Sequence, residues 1–227
     1  MKNIILLSGA DKTKYFNEEI SKEIKKNTND PMNMVAIPAD PNNYIKNDKQ
    51  FYGDDIVVGV LKTFRKIFPN LNITLLDNRT SQKDGINDLK NADIIYLLGG
   101  DPFIQLDYLQ KNSFSDVICN TNALIIGISA GSMNLAINSY YSKDEDYPES
   151  IIYDGLGITN ITIDPHFDIN NDEQVNEIKA NSKKIKIIGL PNDSAIVISN
   201  GNIKYIGKTY IFENGELSTT YLTKNKN

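Results

Sequence analysis

The sequence predicts an α/β fold with a central, mainly parallel sheet and an antiparallel finish. In the first two thirds of the chain, short apolar runs bounded by glycine alternate with amphipathic helical patterns. This alternation is typical of a parallel sheet covered by helices on both faces. After residue 150 short β segments dominate. The 227 residues, 40% of them hydrophobic, can build one core, so we expect a single domain over residues 1–227.

Each element follows from its local pattern. Apolar runs predict the first strands, at 4–8, 34–37, 73–76, 94–98 and 123–128. Helical spacing predicts helices at 16–26, at 56–68 before Pro69, at 102–110 and from residue 130 onward. The later part is predicted to contain β segments near 151–153 and 158–163, a polar helix at 171–183, and strands at 185–189, 194–199, 203–206 and 209–212.

Composition excludes several classes of protein. The 29 acidic and 24 basic residues give a net charge of −5, which lacks the basic footprint of a nucleic-acid binder. No apolar run approaches the roughly 20 residues of a membrane span, and the first run is shorter than a signal-peptide core. The single Cys119 allows no internal disulfide. We therefore expect a cytoplasmic protein that binds neither nucleic acid nor membrane.

Metal and cofactor signals are absent from the sequence as well. One histidine and one cysteine cannot form a usual zinc set. No glycine-rich phosphate-binding fingerprint is present. The expectation is a protein without a metal or a cofactor.

The segment Gly127-Ile128-Ser129-Ala130-Gly131 is the most informative motif. It lies between the predicted strand 123–128 and a predicted helix at 132–138, the context in which Gly-x-Ser-x-Gly forms a nucleophile elbow. The sharp turn should hold the serine hydroxyl at the carboxyl end of the sheet, where open α/β folds bind ligands. Ser129 is therefore the candidate nucleophile, and the amide of Ala130 is a candidate oxyanion donor.

His166 is the candidate general base, because a serine hydroxyl needs a base and the chain has no other histidine. A third residue should orient the imidazole. Four aspartates lie between Ser129 and His166, an interval too short for the units that carry the acid in α/β-hydrolases: Asp144, Asp146, Asp154 and Asp164. Asn192 and Asp193 follow the predicted strand 185–189, which we expect to leave the same sheet as the elbow strand. Both are candidates for the third position.

A glycine pair ends the strand before the candidate elbow, in Leu98-Gly99-Gly100-Asp101-Pro102. Glycines at the carboxyl end of a parallel strand let backbone N–H groups face a ligand, and an oxyanion hole needs such a donor. The Gly100 N–H is the candidate, with Gly99 and Asp101 as candidate substrate-binding neighbours. The same glycines are also typical of a plain strand-to-helix turn with Pro102 in the first helical turn.

Together, the segments 98–103, 127–132 and 164–167 resemble the peptidase E family, which groups aspartyl dipeptidases with cyanophycinases. The resemblance runs from about the first strand to about residue 200, and motif order and spacing agree as well as the individual strings. It implies a fold like that of the class I glutamine amidotransferases, with serine replacing their cysteine. It also implies a serine peptidase in which Ser129 attacks, His166 is the base, and Gly100 and Ala130 supply the oxyanion donors.

The sequence departs from the family at two places. In dipeptidase members, the stretch after the His-Phe pair carries an arginine that binds the substrate's N-terminal Asp side chain. Residues 168–174 contain acids and no arginine, and the chain's only arginines are Arg65 and Arg79. Asp specificity is therefore not supported. At the position where the family usually has an acidic residue, this chain has Asn192. Asp193 lies one position further along the chain.

The leading hypothesis is a serine peptidase that cleaves small peptides through an acyl-enzyme. One rival is an esterase or a non-peptide amidase on the same scaffold. Another is a non-catalytic binding domain that retains the elbow. The sequence leaves the oligomeric state open between a monomer and a homodimer.

Overall fold

The chain forms a large central sheet, a smaller second sheet and a two-stranded hairpin, in a computed structural model that describes residues 2–9 and 13–220. The strands are β1 (Ile4–Leu7), β2 (Asn33–Ile37), β3 (Asn72–Leu75), β4 (Ile94–Leu97), β5 (Leu124–Ile128), β6 (Asn138–Tyr141), β7 (Ile151–Asp154), β8 (Ile163–Pro165), β9 (Ile187–Leu190), β10 (Ala195–Ser199), β11 (Asn202–Ile206), β12 (Thr209–Glu213) and β13 (Glu216–Thr220). The helices are α1 (Glu18–Lys26), α2 (Tyr44–Tyr52), α3 (Val60–Ile67), α4 (Gln82–Lys90), α5 (Pro102–Lys111), α6 (Phe114–Asn120), α7 (Ala130–Met133) and α8 (Asp172–Asn181).

The central sheet has the strand order β11-β10-β1-β5-β4-β2-β3. From β1 to β3 every neighbouring pair is parallel, whereas β10 and β11 are added antiparallel at the other edge. The predicted fold class, a mainly parallel sheet with an antiparallel finish, is confirmed.

Helices cover both faces of this sheet because its inner strands are apolar on both sides. In β1, Ile4 and Leu6 join one buried cluster, while Ile5 and Leu7 join the other. Residues of α4, α5 and α6 pack on the first face, and residues of α1 and α3 pack on the second. None of the helices in the described residues is long and apolar enough to cross a membrane.

The second sheet has the order β13-β12-β9-β8 and carries its own buried cluster with α8, centred on Phe167, Ile178 and Phe212. The expectation that strand 185–189 shares the elbow strand's sheet was wrong, because β9 lies in this second sheet. Its parallel pairing with β8 places Pro165 opposite Leu190. The segments that follow these two strands therefore begin side by side.

Several elements differ from the sequence prediction. The helix expected at 132–138 is only the four-residue α7. The chain turns at Asn134, whose buried side-chain amide donates hydrogen bonds to the Pro102 carbonyl and to Gln105 Oε1. It then enters the hairpin β6–β7. The helix expected at 56–68 begins only at Val60. The β segment expected at 158–163 is displaced, because β8 begins only at Ile163. Five further elements, α2, α4, α6, β6 and β13, were not predicted.

Two of the unpredicted helices, α2 and α4, bury few apolar side chains and begin at polar capping residues. Asn43 caps α2 by accepting from the Lys46 amide, and Ser81 caps α4 by accepting from the Asp84 amide. Such caps satisfy amides that a helix leaves unpaired at its first turn. The side chain of Phe51 is the buried apolar anchor of α2.

Candidate active site

Ser129 occupies a strained turn between β5 and α7. Its backbone has φ of 52° and ψ of −118°, which residues other than glycine rarely adopt. Small neighbours permit the turn, since a Cβ on Gly127 would lie 2.5 Å from the Ser132 amide nitrogen. The buried Ser132 hydroxyl ties the turn to β1 by donating to the Leu7 carbonyl and accepting from the Leu7 amide. The turn thus places Ser129 at the carboxyl end of β5.

His166 follows β8 in the second sheet, with φ of 57°. Its amide donates to Ser8 Oγ at 2.8 Å, and that hydroxyl donates to the Leu190 carbonyl at 2.7 Å. The imidazole Nε2 lies 2.8 Å from Ser129 Oγ. The two residues that the sequence singled out are therefore within hydrogen-bond distance of each other. Ser8, which the sequence analysis did not identify, fixes the backbone of His166 to both sheets.

Asn192 contacts the other ring nitrogen of His166. Its Oδ1 lies 2.8 Å from His166 Nδ1. A carbonyl oxygen only accepts, so this contact requires a proton on Nδ1 and leaves Nε2 of the neutral ring free to accept from Ser129. Asp193 is exposed, with φ of 62°, and its amide donates to the Gly9 carbonyl. Of the two candidates for the third position, the structure thus brings Asn192 to the ring.

Gly9 packs against the His166–Asn192 pair, a position that the sequence analysis did not single out. A Cβ on Gly9 would lie 2.5 Å from both His166 Cε1 and Asn192 Oδ1. The backbone at the end of β1 therefore forms one wall of the site. The only sequence signal is a glycine that directly follows a buried strand.

The glycine pair after β4 lies beside Ser129. A Cβ on Gly99 would be 3.1 Å from Ser129 Cβ and 3.7 Å from its Oγ. Gly100 has φ of 148°, and a Cβ there would lie 2.6 Å from Ala39 Cβ. Within the described part of the chain, the amides of Gly100 and Ala130 donate to no acceptor. Gly100 lines the same pocket as Ser129, and Ala130 directly follows Ser129 in the chain, so both residues border the candidate nucleophile.

Asp101 has a structural position. One of its carboxylate oxygens accepts from the Phe103 and Ile104 amides as the N-cap of α5, and the other accepts from the Tyr147 hydroxyl at 3.1 Å. It does not line the pocket that contains Ser129. The aspartate therefore holds the start of α5 and the loop that carries Tyr147.

A pocket of about 360 Å³ opens in front of Ser129 and His166. Its wall is largely apolar and comes from α3, from the ends of β4 and β5, and from Phe16. Lys14 and Lys46 line it as well. A volume near the lower end of the usual range for ligand sites suits a small molecule.

Neither arginine lines this pocket. Arg79 is held by the carboxylates of Asp48 and Asp77, at 2.6 and 2.7 Å. Arg65 is exposed in the last turn of α3. The positive charges that face the pocket are therefore lysines.

The aspartates between Ser129 and His166 do not contact the imidazole. Asp164 is buried two residues before His166, where it accepts from Ser142 at 2.6 Å and from Gln174 at 2.8 Å. Burial raises the pKa of this carboxyl to about 7, against an ordinary value of 3.8. Asp144 caps the turn at residues 146–147 by accepting from both amides. Among the described residues, no group of three or more His, Cys, Asp or Glu is arranged to hold a metal ion.

The fold and this geometry define a class: an α/β protein whose serine and histidine meet at the carboxyl end of a mainly parallel sheet. Residues 4–206 match the model of Peptidase family S51. Because the match spans most of the chain, the chain belongs to this family, and the predicted kinship with peptidase E is confirmed.

Relatives and solved structures agree with this assignment. Peptidase E of Escherichia coli O1:K1 / APEC and that of Shigella boydii serotype 18 (strain CDC 3083-94 / BS512) are each 28% identical over 149 residues. Each match covers 59% of this chain and 64% of the relative, less than two thirds of its length. A peptidase from an acI-B1 Actinobacterium has a similar fold, with a TM-score of 0.65 at 18% identity, covering 99% of this chain and 96% of that one. A Listeria monocytogenes EGD-e protein named after peptidase E has a TM-score of 0.63 at 20% identity, covering 91% and 98%.

Proposed function

We propose that this chain is a serine peptidase that hydrolyses small peptides through an acyl-enzyme. The observation that supports it most is the pair of 2.8 Å contacts that runs from Ser129 through His166 to Asn192. A serine in a strained strand-to-helix turn fits a nucleophile elbow, and an adjacent base is what such a hydroxyl needs. Membership in Peptidase family S51 favours an amide substrate over an ester.

The first half-reaction transfers the acyl group to the serine. His166 Nε2 takes the proton of Ser129 as its Oγ forms a bond to the scissile carbonyl carbon. The carbonyl oxygen becomes negative and accepts from the amides of Gly100 and Ala130. The carbon–nitrogen bond then breaks while the imidazolium returns its proton to the leaving amine, which leaves an ester on Ser129.

The second half-reaction releases the acid. His166 takes a proton from water, the oxygen attacks the ester carbonyl, and Ser129 leaves as its hydroxyl after receiving that proton. Asn192 keeps the productive tautomer throughout by accepting from Nδ1. As a neutral amide it orients the ring without adding the negative charge that an aspartate supplies in a Ser-His-Asp triad.

Alanine substitution and active-site labelling test the proposal. Ser129→Ala and His166→Ala should each lower the turnover of a hydrolysed dipeptide by about 10⁴–10⁶-fold. Ser218→Ala, an exposed serine on β13, is the matched control and should retain full activity. A fluorophosphonate should label the wild-type protein at Ser129, because labelling needs an activated hydroxyl. Near-normal turnover in both site variants would disprove the mechanism, and an unlabelled Ser129 would favour a binding domain.

A further inference from the structure

The pocket in front of Ser129 is lined mostly by apolar side chains, together with the two lysines Lys14 and Lys46. Its apolar wall includes Phe16, Val60, Phe64, Leu98 and Ile128. No carboxylate lines it among the described residues. An aliphatic or aromatic substrate side chain gains from leaving water at such a wall, whereas an ionised one loses its hydration there.

The positive charge lies beside the glycine pair. Lys46 is exposed on α2, and its Nζ is 3.9 Å from the position that a Cβ on Gly100 would occupy. In the described part of the chain, no ion pair engages this ammonium, in contrast to Lys49 on the same helix, which pairs with Asp54 at 2.9 Å. Lys46 therefore places a positive charge next to the Gly99-Gly100 pair, at the end of a flexible four-carbon side chain.

We infer that the preferred substrate is a short peptide with an apolar N-terminal residue, whose side chain fills this pocket, and a free C-terminal carboxylate that pairs with Lys46. A peptide residue spans at most about 3.6 Å, so the carboxylate of a dipeptide lies close enough to the scissile carbonyl for a lysine beside Gly100 to reach. This inference rests on the proposed function. It also gives a physical reason for a substrate preference other than N-terminal Asp, since neither arginine faces the site.

Steady-state kinetics on four dipeptides test the apolar part of the inference. Leu-Ala and Phe-Ala should be hydrolysed with a kcat/KM at least about tenfold above that of Ala-Ala, because each added methylene group contributes to pocket binding. Asp-Ala should be about 100-fold poorer than Leu-Ala, since Lys46 pairs with the C-terminal carboxylate and the Asp side chain would lose its hydration against the apolar wall. Equal rates for Leu-Ala and Asp-Ala, or a preference for Asp-Ala, would overturn the inference.

Lys46→Met tests the carboxylate contact, and Lys49→Met is the matched control. Lys46→Met should raise KM for Leu-Ala roughly fivefold or more with little change in kcat, because it removes binding that is the same in ground and transition states. Leucyl-alanine amide should be insensitive to this substitution, and Lys49→Met should leave both substrates unaffected. A fall in kcat that is equal for the acid and the amide would instead assign Lys46 to the oxyanion and contradict the carboxylate contact.

Labelling separates failure of this inference from failure of the proposed function. If fluorophosphonate labels Ser129 but none of the four dipeptides is cleaved, the substrate class is wrong while the activated serine stands. If Ser129 is unlabelled and nothing is cleaved, the proposed function and the inference fail together.

Discussion

Replacing Gly9 with alanine tests the contact between His166 and Asn192 without changing either residue. The new Cβ would lie 2.5 Å from His166 Cε1 and Asn192 Oδ1, and 2.7 Å from His166 Nδ1. Ordinary van der Waals contact begins at 3.4 Å, so the ring and the amide must retreat by about 0.9 Å. Both 2.8 Å contacts of the imidazole would then be broken or badly aligned.

The expected effect is a fall in kcat of roughly 100-fold, the usual cost of a misplacement of about 1 Å at a catalytic group. Gly9 has no positive φ, so alanine adds no backbone strain there and the fold should persist. Turnover of a dipeptide and fluorophosphonate labelling of Ser129 measure the effect, and thermal denaturation reports on the fold.

Gly157→Ala is the control. A Cβ there would meet no atom within 4 Å, although φ is 70°. This variant should lose about 1 kcal/mol of stability from its left-handed backbone and keep its activity. If Gly9→Ala retained kcat and labelling within a factor of two of wild type, the packing of Gly9 on the site would be irrelevant to function and the reasoning refuted.

Four further substitutions, at three places in the fold, have defined outcomes. Ser8→Ala should cost about 1–3 kcal/mol of stability in chemical denaturation and lower kcat, because the His166 amide loses its partner; unchanged stability and rate would contradict the anchoring role. Asn192→Ala should lower kcat at least about tenfold while Asp193→Ala has little effect on kinetics, and equal mild losses would remove this loop from the mechanism. Asp164→Asn should abolish a pH dependence of stability: with a folded pKa of about 7 against 3.8, the wild type loses up to about 4 kcal/mol as pH rises from about 4 to about 7. Urea unfolding at several pH values in that window measures the slope, and an equally steep slope in the variant would rule out Asp164 as its source.

The parts of the site that local sequence patterns predict are those formed by adjacent residues. A strand that runs directly into Gly-x-Ser-x-Gly needs small neighbours for steric reasons, and the structure places Gly127 and Gly131 where a Cβ would overlap the backbone. The single histidine made His166 the sole candidate base. Both features depend on neighbouring residues or on composition, and not on contacts between distant parts of the chain.

The helices that form the pocket were harder to predict. The helix α2, which carries Lys46, buries a single apolar side chain, Phe51, together with Asn47, so its helical periodicity is weak. Asn47 is buried because it donates to Asp77 and to the Asp40 carbonyl, contacts from outside the helix. The short α7 ends early for a similar reason, since the buried side chain of Asn134 donates hydrogen bonds to residues of α5. Such tertiary contacts leave no periodic pattern of apolar residues in the sequence.

By itself, the sequence determined the alternating α/β class, the parallel core and the two chemically distinctive side chains, Ser129 and His166. These depend on local sterics and on apolar periodicity, which neighbouring residues carry. The tertiary structure decided that β8 and β9 form a separate sheet, that Asn192 and not Asp193 reaches the imidazole, and that Gly9 and Lys46 face the same site. Those outcomes depend on strand order and register, because residues far apart in the chain become neighbours only when the sheets assemble.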